Sequence, residues 1–360
     1  MDDVSALEPI VFDMGLPAGY ERSGMDLLAA SSTPAQLPDH VYGPSVSPEV
    51  LAENPEALNA ELDALKDKGE VLIATPPSGQ RFFGRPEIHG VPAPHVQRRL
   101  EEVTQSGELT EAIIDQSQYP YTAIGRLSYS IEGVVRYCTA WVVSERVIAT
   151  AGHCVFSRSV HSNGNGQSSD RDIGSDKLGE ASSEKVSGLA DWAIFEPAYR
   201  AGAETEKWAG VRGYVLKAWI APEAGEPTSP HDFAFIVLDK PILSKTGALG
   251  VRVANPDMPE AAVSLGYPQS PSSAYAFDGR HLYASTGRLK SSALGVLEAE
   301  NQLTEGSSGG PWLSRTREGI VVTGINSNKP LRSDDTTYSP VLGQSFIALL
   351  SRVLSDMTGV

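Results

Sequence analysis

The chain has 360 residues, of which 41% are hydrophobic and 21% are charged. This composition is typical of a globular protein and excludes disorder over most of the length. The formal net charge of −16 leaves no basic stripe for binding phosphates, so we expect no nucleic-acid partner. No apolar run approaches the roughly 20 residues needed to cross a bilayer, and we expect no membrane span.

The first 116 residues contain little apolar sequence and several proline-rich links. The pattern predicts one helix that begins at Asn54 and ends at Gly69, and a second, polar helix over Gln97–Ile114. So little apolar material cannot form an independent core. We therefore expect residues 1–116 to be a pro-segment or leader, partly helical or disordered, that leans on the rest of the chain.

From about residue 117 the sequence reads as short strands separated by turns, which is typical of a β-barrel or sandwich. Strands of a first barrel, within about 117–245, are expected at Thr122–Ser130, Val134–Val143, Val147–Thr150, Trp192–Phe195, Arg212–Ile220 and Phe233–Leu238. Strands of a second barrel, within about 246–343, are expected at Ala262–Tyr267, His281–Leu289, Gly295–Ala299, Gly310–Leu313 and Gly319–Asn326. The polar segment Ser157–Gly188 reads as an exposed loop, and 344–357 as a closing amphipathic helix.

The only two cysteines, Cys138 and Cys154, lie at the two ends of a predicted hairpin. The strand that Cys138 opens is separated by a short turn from Val147–Thr150, and pairing of the two strands brings the cysteines within disulfide distance. Two buried thiols are the alternative. A bridge would hold the loop of His153 rigid and would indicate an oxidising compartment, so we expect secretion. Because Met1 is followed by acidic residues, we expect the export signal to lie outside this sequence.

The segment Thr304–Trp312 reads TEGSSGGPW. No Lys-Ser or Lys-Thr pair follows, so it does not match a phosphate-binding loop, and a plain tight turn is the simpler structural explanation. Acyl transfer, however, requires a serine on a tight turn whose backbone N–H groups can receive an oxyanion. Ser308 fits this requirement, with Gly306 two residues before it and two glycines after it, whereas Ser307 does not. We predict Ser308 as the nucleophile and the N–H groups of Gly306 and Ser308 as the oxyanion hole.

The segments Ala151–Cys154 and Gly306–Pro311 resemble the two signature segments of the chymotrypsin/trypsin-like serine peptidases. In that family a cysteine stands 15 positions before the catalytic histidine and pairs with the cysteine that follows it, as Cys138 stands 15 positions before His153 here. The order of the motifs, histidine first and serine last, also agrees. The resemblance implies an all-β fold of two six-stranded antiparallel β-barrels with a C-terminal helix. It also implies an active site between the barrels, with His153 and Ser308 in a catalytic triad.

The third member of such a triad is a buried aspartate that orients the imidazole and stabilises its cation. Asp191 and Asp232 both precede the pattern aromatic-Ala-apolar that the family shows at this place. The apolar run after Asp232 is longer and wholly apolar, as expected of a strand in a barrel core, and Asp191 lies one strand too early. We predict Asp232.

Activation and specificity depart from the trypsin pattern. Trypsin-type zymogens pair a new N-terminal amine with an aspartate directly before the catalytic serine, and here that position is Ser307. The bacterial glutamyl-endopeptidase branch, with similar secreted bacterial and fungal peptidases, also lacks this aspartate, and Tyr119–Gly125 and Val322–Ile325 resemble that branch. This resemblance implies a zymogen whose maturation junction lies within Asp115–Thr122.

The substrate pocket departs from both branches. Glutamyl-specific members carry a histidine after the Gly-apolar pair, where this sequence has Asn326, and trypsin's pocket aspartate is replaced by Gln302. Neither side chain supplies charge, so we expect neither a glutamyl nor an Arg/Lys preference, and a neutral residue at P1 instead. The predicted substrate-binding residues are Gln302, Leu303, Asn326, Ser327 and Asn328, of which the last three would pair with the substrate backbone as an added strand.

These features predict a secreted, monomeric serine endopeptidase, made as a zymogen, that hydrolyses proteins or peptides through an acyl-enzyme. An esterase of the α/β-hydrolase kind is excluded, because its chemistry follows the order Ser, Asp, His. A catalytically silent double-barrel binding protein or adhesin is the alternative. The remaining histidines form no ligand pair, and neither Cys-x-x-Cys nor His-Glu-x-x-His occurs, so we expect no metal and no cofactor.

Overall fold

The computed structural model describes residues 7–20, 71–72, 94–106, 109–157, 188–221, 229–252, 261–272, 274–291, 296–316, 319–329 and 335–358. Two predicted elements fall elsewhere: the helix from Asn54 to Gly69 lies outside the described residues, as does most of the loop Ser157–Gly188. Among the described helices, none is long and apolar enough to cross a membrane.

The elements follow one another in three groups. Before the first barrel lie β1 (Pro9–Asp13), β2 (Val71–Leu72), helix α1 (Pro94–Ser106) and β3 (Leu109–Ala112). The first barrel consists of β4 (Ile124–Ile131), β5 (Val134–Ser144), β6 (Val147–Thr150), β7 (Ala190–Pro197), β8 (Trp208–Leu216) and β9 (Ala234–Leu238), with helix α2 (Lys217–Ile220) after β8. Helix α3 (Leu243–Thr246) and β10 (Val251–Arg252) lead to β11 (Ala261–Gly266), β12 (Tyr283–Ser291), β13 (Val296–Glu300), β14 (Pro311–Thr316), β15 (Gly319–Ile325), β16 (Thr336–Pro340) and helix α4 (Gln344–Thr358).

The first barrel is a closed ring of six antiparallel strands in the order β4-β5-β6-β9-β8-β7, with β7 returning to β4. Every residue of β6 and β9 is buried. The C-terminal helix α4 packs against β8 and β9, where the ring of Phe346 contacts those of Phe233 and Phe235. Because β9 is covered by this helix as well as by the barrel, its sequence is continuously apolar and does not alternate.

Strand β8 differs from the predicted Arg212–Ile220. It begins four residues earlier, at Trp208, and ends at Leu216, after which the chain turns into α2. The early start is hidden in the sequence because Gly210 lies inside the strand, and an interior glycine normally weakens a strand. A Cβ at Gly210 would come within 2.8 Å of side-chain atoms of both Ile236 and Met14, so a larger residue there would have to displace these two side chains.

The second barrel contains six strands in the order β16-β13-β12-β11-β14-β15. The pairing of these strands forms a half-barrel, because β15 and β16 are not paired as strands. Just beyond β15, two backbone hydrogen bonds connect the two ends: the Ser327 N–H donates to the Tyr338 carbonyl at 3.0 Å, and the Tyr338 N–H donates to the Asn328 carbonyl at 2.8 Å. The sequence predicts five of these strands. The sixth, β16, is missed because its sequence TTYSP is polar and ends in proline.

The described parts of the first 116 residues bind to both barrels. Strand β1 pairs with β8, β2 with β10 and β3 with β12, and α1 buries Val96 and Leu100 against the second barrel. The helix predicted over Gln97–Ile114 is therefore wrong in its second half, since α1 ends at Ser106 and residues 109–112 form β3. Strand β13 pairs only with residues 289–291 of β12, and β3 provides backbone hydrogen-bond partners for residues 283–286. A local sequence pattern cannot reveal a pairing with such a distant strand.

Candidate active site

The pairing of β6 with β9 brings the candidate histidine and aspartate together. Thr150 at the end of β6 lies opposite Ala234 at the start of β9. His153 follows β6 by three residues, in the single 3₁₀ turn Gly152–Cys154, and Asp232 precedes β9 by two residues. Because the strands are antiparallel, both side chains emerge at the same rim of the first barrel.

His153 and Asp232 form a hydrogen-bonded pair that is partly buried. The Nδ1 atom of His153 lies 2.8 Å from Oδ2 and 3.1 Å from Oδ1 of Asp232, and the His153 backbone N–H donates to Oδ1 at 2.9 Å. The side chain of Asp232 is 2% exposed and that of His153 is 33% exposed. The carboxylate is therefore enclosed, whereas a third of the imidazole side chain remains exposed.

Ser327 completes the carboxylate's hydrogen bonds, since its Oγ donates to Asp232 Oδ2 at 2.5 Å. From the sequence Ser327 is expected only as a substrate-binding residue, and its contact with Asp232 is not predicted. The two residues are 95 positions apart in the sequence, so no spacing indicates the contact.

The rival aspartate, Asp191, has a different environment. It lies in β7, and its Oδ2 accepts hydrogen bonds from the Ser130 hydroxyl and from the Gly133 N–H, both at 3.0 Å. It thereby braces the hairpin between β4 and β5, where Gly133 has a φ of 76°. Of the two candidates, only Asp232 contacts His153.

Charge and burial act in opposite directions on this pair. Burial by itself lowers the pKa of His153, but the charge of Asp232 and its hydrogen bond outweigh burial, so the pKa is raised above the ordinary 6.5. Burial by itself raises the pKa of Asp232, but the His153 charge and the hydrogen bonds from His153 and Ser327 outweigh it and lower the pKa below 3.8. Asp232 is thus ionised at neutral pH, and His153 is a stronger base than a free imidazole.

The loop that carries Ser308 depends on two glycines. Gly306 has a φ of 92° and Gly309 a φ of 81°, in the left-handed region that favours glycine. A Cβ at Gly306 would come within 2.5 Å of the Tyr267 carbonyl, and one at Gly309 within 2.2 Å of Thr150 Oγ1. Neither glycine can be replaced without moving backbone or a buried strand.

A disulfide joins strand β5 to the turn that carries His153, and β5 is hydrogen-bonded to the loop of Ser308. Cys138 and Cys154 are bonded, as the sequence predicts. Next to Cys138, the Thr139 N–H donates to the Ser308 carbonyl at 2.8 Å, and Cys154 Sγ lies 3.9 Å from the same carbonyl. Between these described residues no hydrogen bond joins His153 to the Ser308 hydroxyl. Catalytic hydrogen bonds of this kind commonly tighten only once substrate is bound.

Two backbone amides at this loop point to no partner. Within the part of the chain that the structure describes, neither the Gly306 N–H nor the Ser308 N–H donates a hydrogen bond. The other amides of the turn are used: Ser307 N–H donates to Thr304, Gly309 N–H to Asn326, and Gly310 N–H to Ser307. Paired free amides next to a serine are the arrangement required to stabilise an oxyanion.

The predicted substrate-binding residues fall into different environments. Asn328 is exposed and Gln302 is half-buried. Leu303 and Ser327 are buried, with 1% and 8% of their surface exposed. Asn326 is also buried, 1% exposed, and its side chain is fully hydrogen-bonded within the protein, so it does not line an open pocket.

One cluster among the described residues brings three side chains of metal-ligand type together: Cys138, His153 and Cys154 have ligand atoms within 4.8 Å of one another. The two sulfurs are bonded to each other and so provide no thiolate, which is the form that binds metal. The Nδ1 atom of His153 is bonded to Asp232. The donor set therefore does not fit a metal ion.

No protein-family profile matches the chain, and no curated protein sequence matches it. Solved structures do. The protease Anisep from Arthrobacter nicotinovorans superposes with a TM-score of 0.50 at 22% identity, covering 69% of this chain and 100% of that one. A Glu endopeptidase superposes with a TM-score of 0.51 at 16% identity, covering 68% of this chain and 96% of that one.

The chain therefore has the double-barrel fold of the trypsin-like serine peptidases. The predicted resemblance, including that to structures of the glutamyl-endopeptidase kind, is confirmed at the level of the fold. The predicted all-β class with its C-terminal helix is confirmed with it.

Proposed function

We propose that this protein is a serine endopeptidase with His153, Asp232 and Ser308 as its catalytic triad. The observation that carries the proposal is the hydrogen-bonded Asp232–His153 pair: the disulfide ties its turn to β5, which in turn is hydrogen-bonded to a serine loop with two free amides. A binding protein would need none of these three features.

In this mechanism the Ser308 Oγ attacks the carbonyl carbon of the scissile peptide bond while His153 Nε2 accepts the hydroxyl proton. The carbonyl oxygen becomes an oxyanion and receives hydrogen bonds from the N–H groups of Gly306 and Ser308. The C–N bond then breaks, and His153 gives its proton to the leaving amine. Water, deprotonated by the same imidazole, hydrolyses the acyl-enzyme and regenerates Ser308. Asp232 keeps Nδ1 protonated throughout and stabilises the imidazolium.

We further propose an extended polypeptide as the substrate, lying along the chain just beyond β15. On one side this segment is bonded to Tyr338 through the Ser327 N–H and the Asn328 carbonyl. The Ser327 carbonyl accepts no hydrogen bond among the described residues, and it is the group we assign to the substrate backbone N–H. Gln302 is uncharged and Asn326 is enclosed, so these positions favour neither an acidic nor a basic P1 residue.

Export and activation by cleavage are proposals as well. A disulfide next to the catalytic histidine is typical of a protein that works in an oxidising compartment. Of the proposed junction Asp115–Thr122, Asp115 is exposed, whereas Tyr119 and Tyr121 are buried and Tyr119 donates to the Ala248 carbonyl at 2.8 Å. Cleavage is therefore expected at the beginning of this segment.

We expect a pH-rate profile whose acidic limb lies above the ordinary histidine pKa of 6.5. The imidazole must be neutral to accept the Ser308 proton, and Asp232 raises its pKa, so activity is lost at a higher pH than for a free imidazole. Stability depends on pH in the opposite way. The ion pair between His153 and Asp232 stabilises the fold below the pKa of histidine in the unfolded chain, and this contribution to stability is lost as the pH rises through the raised pKa of His153 in the folded protein.

Digestion of a peptide library at a series of pH values tests both the function and this profile. The proposed function predicts internal cleavage with a neutral P1 residue, and an acidic limb above 6.5. A folded protein that cleaves no peptide before or after limited proteolysis would support the binding-protein alternative. Cleavage with an acidic limb at or below 6.5 would contradict the role given to Asp232.

A further inference from the structure

Asn326 is the most completely hydrogen-bonded side chain near the active site. Its Nδ2 donates to two carbonyls, those of Leu265 at 3.1 Å and Ser307 at 3.0 Å. Its Oδ1 accepts from three donors: Ser264 Oγ at 2.6 Å, Trp312 Nε1 at 2.7 Å and Asn301 Nδ2 at 2.9 Å. An indole N–H can only donate and a carbonyl can only accept, so the amide has one possible orientation.

The hydrogen bond to the Ser307 carbonyl helps to fix the direction of the Ser308 N–H. The Ser307 carbonyl and the Ser308 N–H belong to one planar trans peptide unit, so they point in opposite directions. Asn326 Nδ2 and Gly310 N–H, each at 3.0 Å, hold the carbonyl on the inner side of the loop. The Ser308 N–H is consequently directed outward, where it has no partner within the described chain.

The preceding peptide units are held in the same way. The Glu305 carbonyl accepts from the Gln269 N–H at 2.7 Å, which directs the Gly306 N–H to the opposite side. The Gly306 carbonyl accepts from Thr139 Oγ1 at 2.9 Å. Among the residues that the structure describes, Asn326 is the one side chain that donates a hydrogen bond to the peptide unit carrying the Ser308 N–H.

We propose that Asn326 is a positioning residue that holds one amide of the oxyanion hole in its active orientation. This inference rests on the proposed peptidase function. Ser307 occupies the place where trypsin-type enzymes have the aspartate that receives a new N-terminal amine. A neutral side chain that bonds directly to the Ser307 carbonyl needs no such amine, so the hole is formed before any cleavage. If the N-terminal residues control the activity, they then have to act at a place other than the loop of Ser308.

Asn326 does not act as a substrate-selecting residue. Its side chain is 1% exposed, and both of its N–H groups are already donated to protein carbonyls. A substrate carboxylate would have to break one of these buried bonds. The two roles make different predictions, because an oxyanion-hole defect lowers kcat for every substrate whereas a pocket defect changes the preference among substrates.

The test measures kcat and KM of Asn326→Ala on a matched set of peptides that differ only at P1. We expect kcat to fall on the order of 10²-fold for every P1 residue with KM little changed, as for loss of one oxyanion-hole donor. Ser314→Ala is the stability control: Ser314 is equally buried in the same barrel and bonds to Thr323, away from the loop. It is expected to lower the melting temperature without this loss of kcat.

Asn326→Asp provides a second readout that does not depend on the alanine variant folding. An ionised carboxylate cannot donate to the Ser307 carbonyl, whereas the protonated acid can. The kcat of this variant relative to wild type is therefore expected to rise as pH falls. A pH-independent ratio would overturn the proposal.

The remaining outcomes distinguish failure of the positioning role of Asn326 from failure of the proposed peptidase function. A changed P1 preference, or a loss of kcat no larger than that of Ser314→Ala at the same loss of melting temperature, would overturn the positioning role and leave the peptidase intact. A wild-type protein without hydrolysis would contradict the proposed function, and the inference with it.

Discussion

Replacing Ser308 by alanine is expected to lower kcat by about 10⁶-fold while the protein stays folded. The hydroxyl is the only atom group removed, and the backbone contacts of Ser308 run through its carbonyl, which still accepts from the Thr139 N–H. The amides of Gly306 and Ser308 also remain, so the variant should still bind peptides. Steady-state hydrolysis and a melting curve measure the two properties.

Ser307→Ala is the matched control for this variant. The Ser307 hydroxyl donates to the Thr304 carbonyl at 2.7 Å and closes the turn. Its loss should cost about 1 kcal/mol of stability, and the variant should keep most of the wild-type kcat. Full activity in Ser308→Ala together with inactivity in Ser307→Ala would show that the nucleophile is assigned one residue too late.

Replacing Asp232 by asparagine is expected to lower kcat by about 10⁴-fold. The two carboxylate oxygens accept from the His153 backbone N–H, from His153 Nδ1 and from Ser327 Oγ. An amide offers one oxygen to these donors and turns an NH₂ group toward the others. The imidazole then loses either its orientation or its tautomer, and the cation formed during catalysis loses its counter-charge.

Asp191→Asn is the control that distinguishes the two aspartates. Asp191 bonds to Ser130 and to the Gly133 N–H in the hairpin between β4 and β5. We expect a stability loss of about 1 kcal/mol, as for one weakened hydrogen bond, and near wild-type kcat. A large loss of kcat in Asp191→Asn with little change in Asp232→Asn would reverse the assignment.

The elements that could be predicted from the sequence are those whose signal is local. Strand β6 and the helix α4 follow directly from their apolar patterns, and the Cys138–Cys154 disulfide follows from the hairpin between the cysteines. Strands β3 and β16 form on edges offered by distant strands, and β8 contains a glycine that only tight packing against Ile236 and Met14 explains. Such long-range requirements leave no periodicity to detect.

The residues of the candidate site also divide into those with a local sequence signal and those without one. His153 and Ser308 stand in short motifs, and the apolar run after Asp232 indicates a core strand, so these three residues could be predicted. Asn326 was predicted to face substrate because it occupies a pocket position by resemblance. Its side-chain partners lie in separate segments of the chain, at Ser264 in β11, at Asn301 and at Trp312 in β14, and no sequence pattern predicts them.

The most direct measurement is reaction of the folded chain with a fluorophosphonate, before and after limited proteolysis, followed by mapping of the modified peptide by mass spectrometry. The reagent phosphonylates a serine oxygen with loss of fluoride only where a base and an oxyanion hole activate that serine. We predict one adduct, on Ser308, that is absent after denaturation and absent in Ser308→Ala. A folded chain that forms no adduct in either state, or one that forms an adduct at another serine and keeps it in Ser308→Ala, would contradict the catalytic role of Ser308.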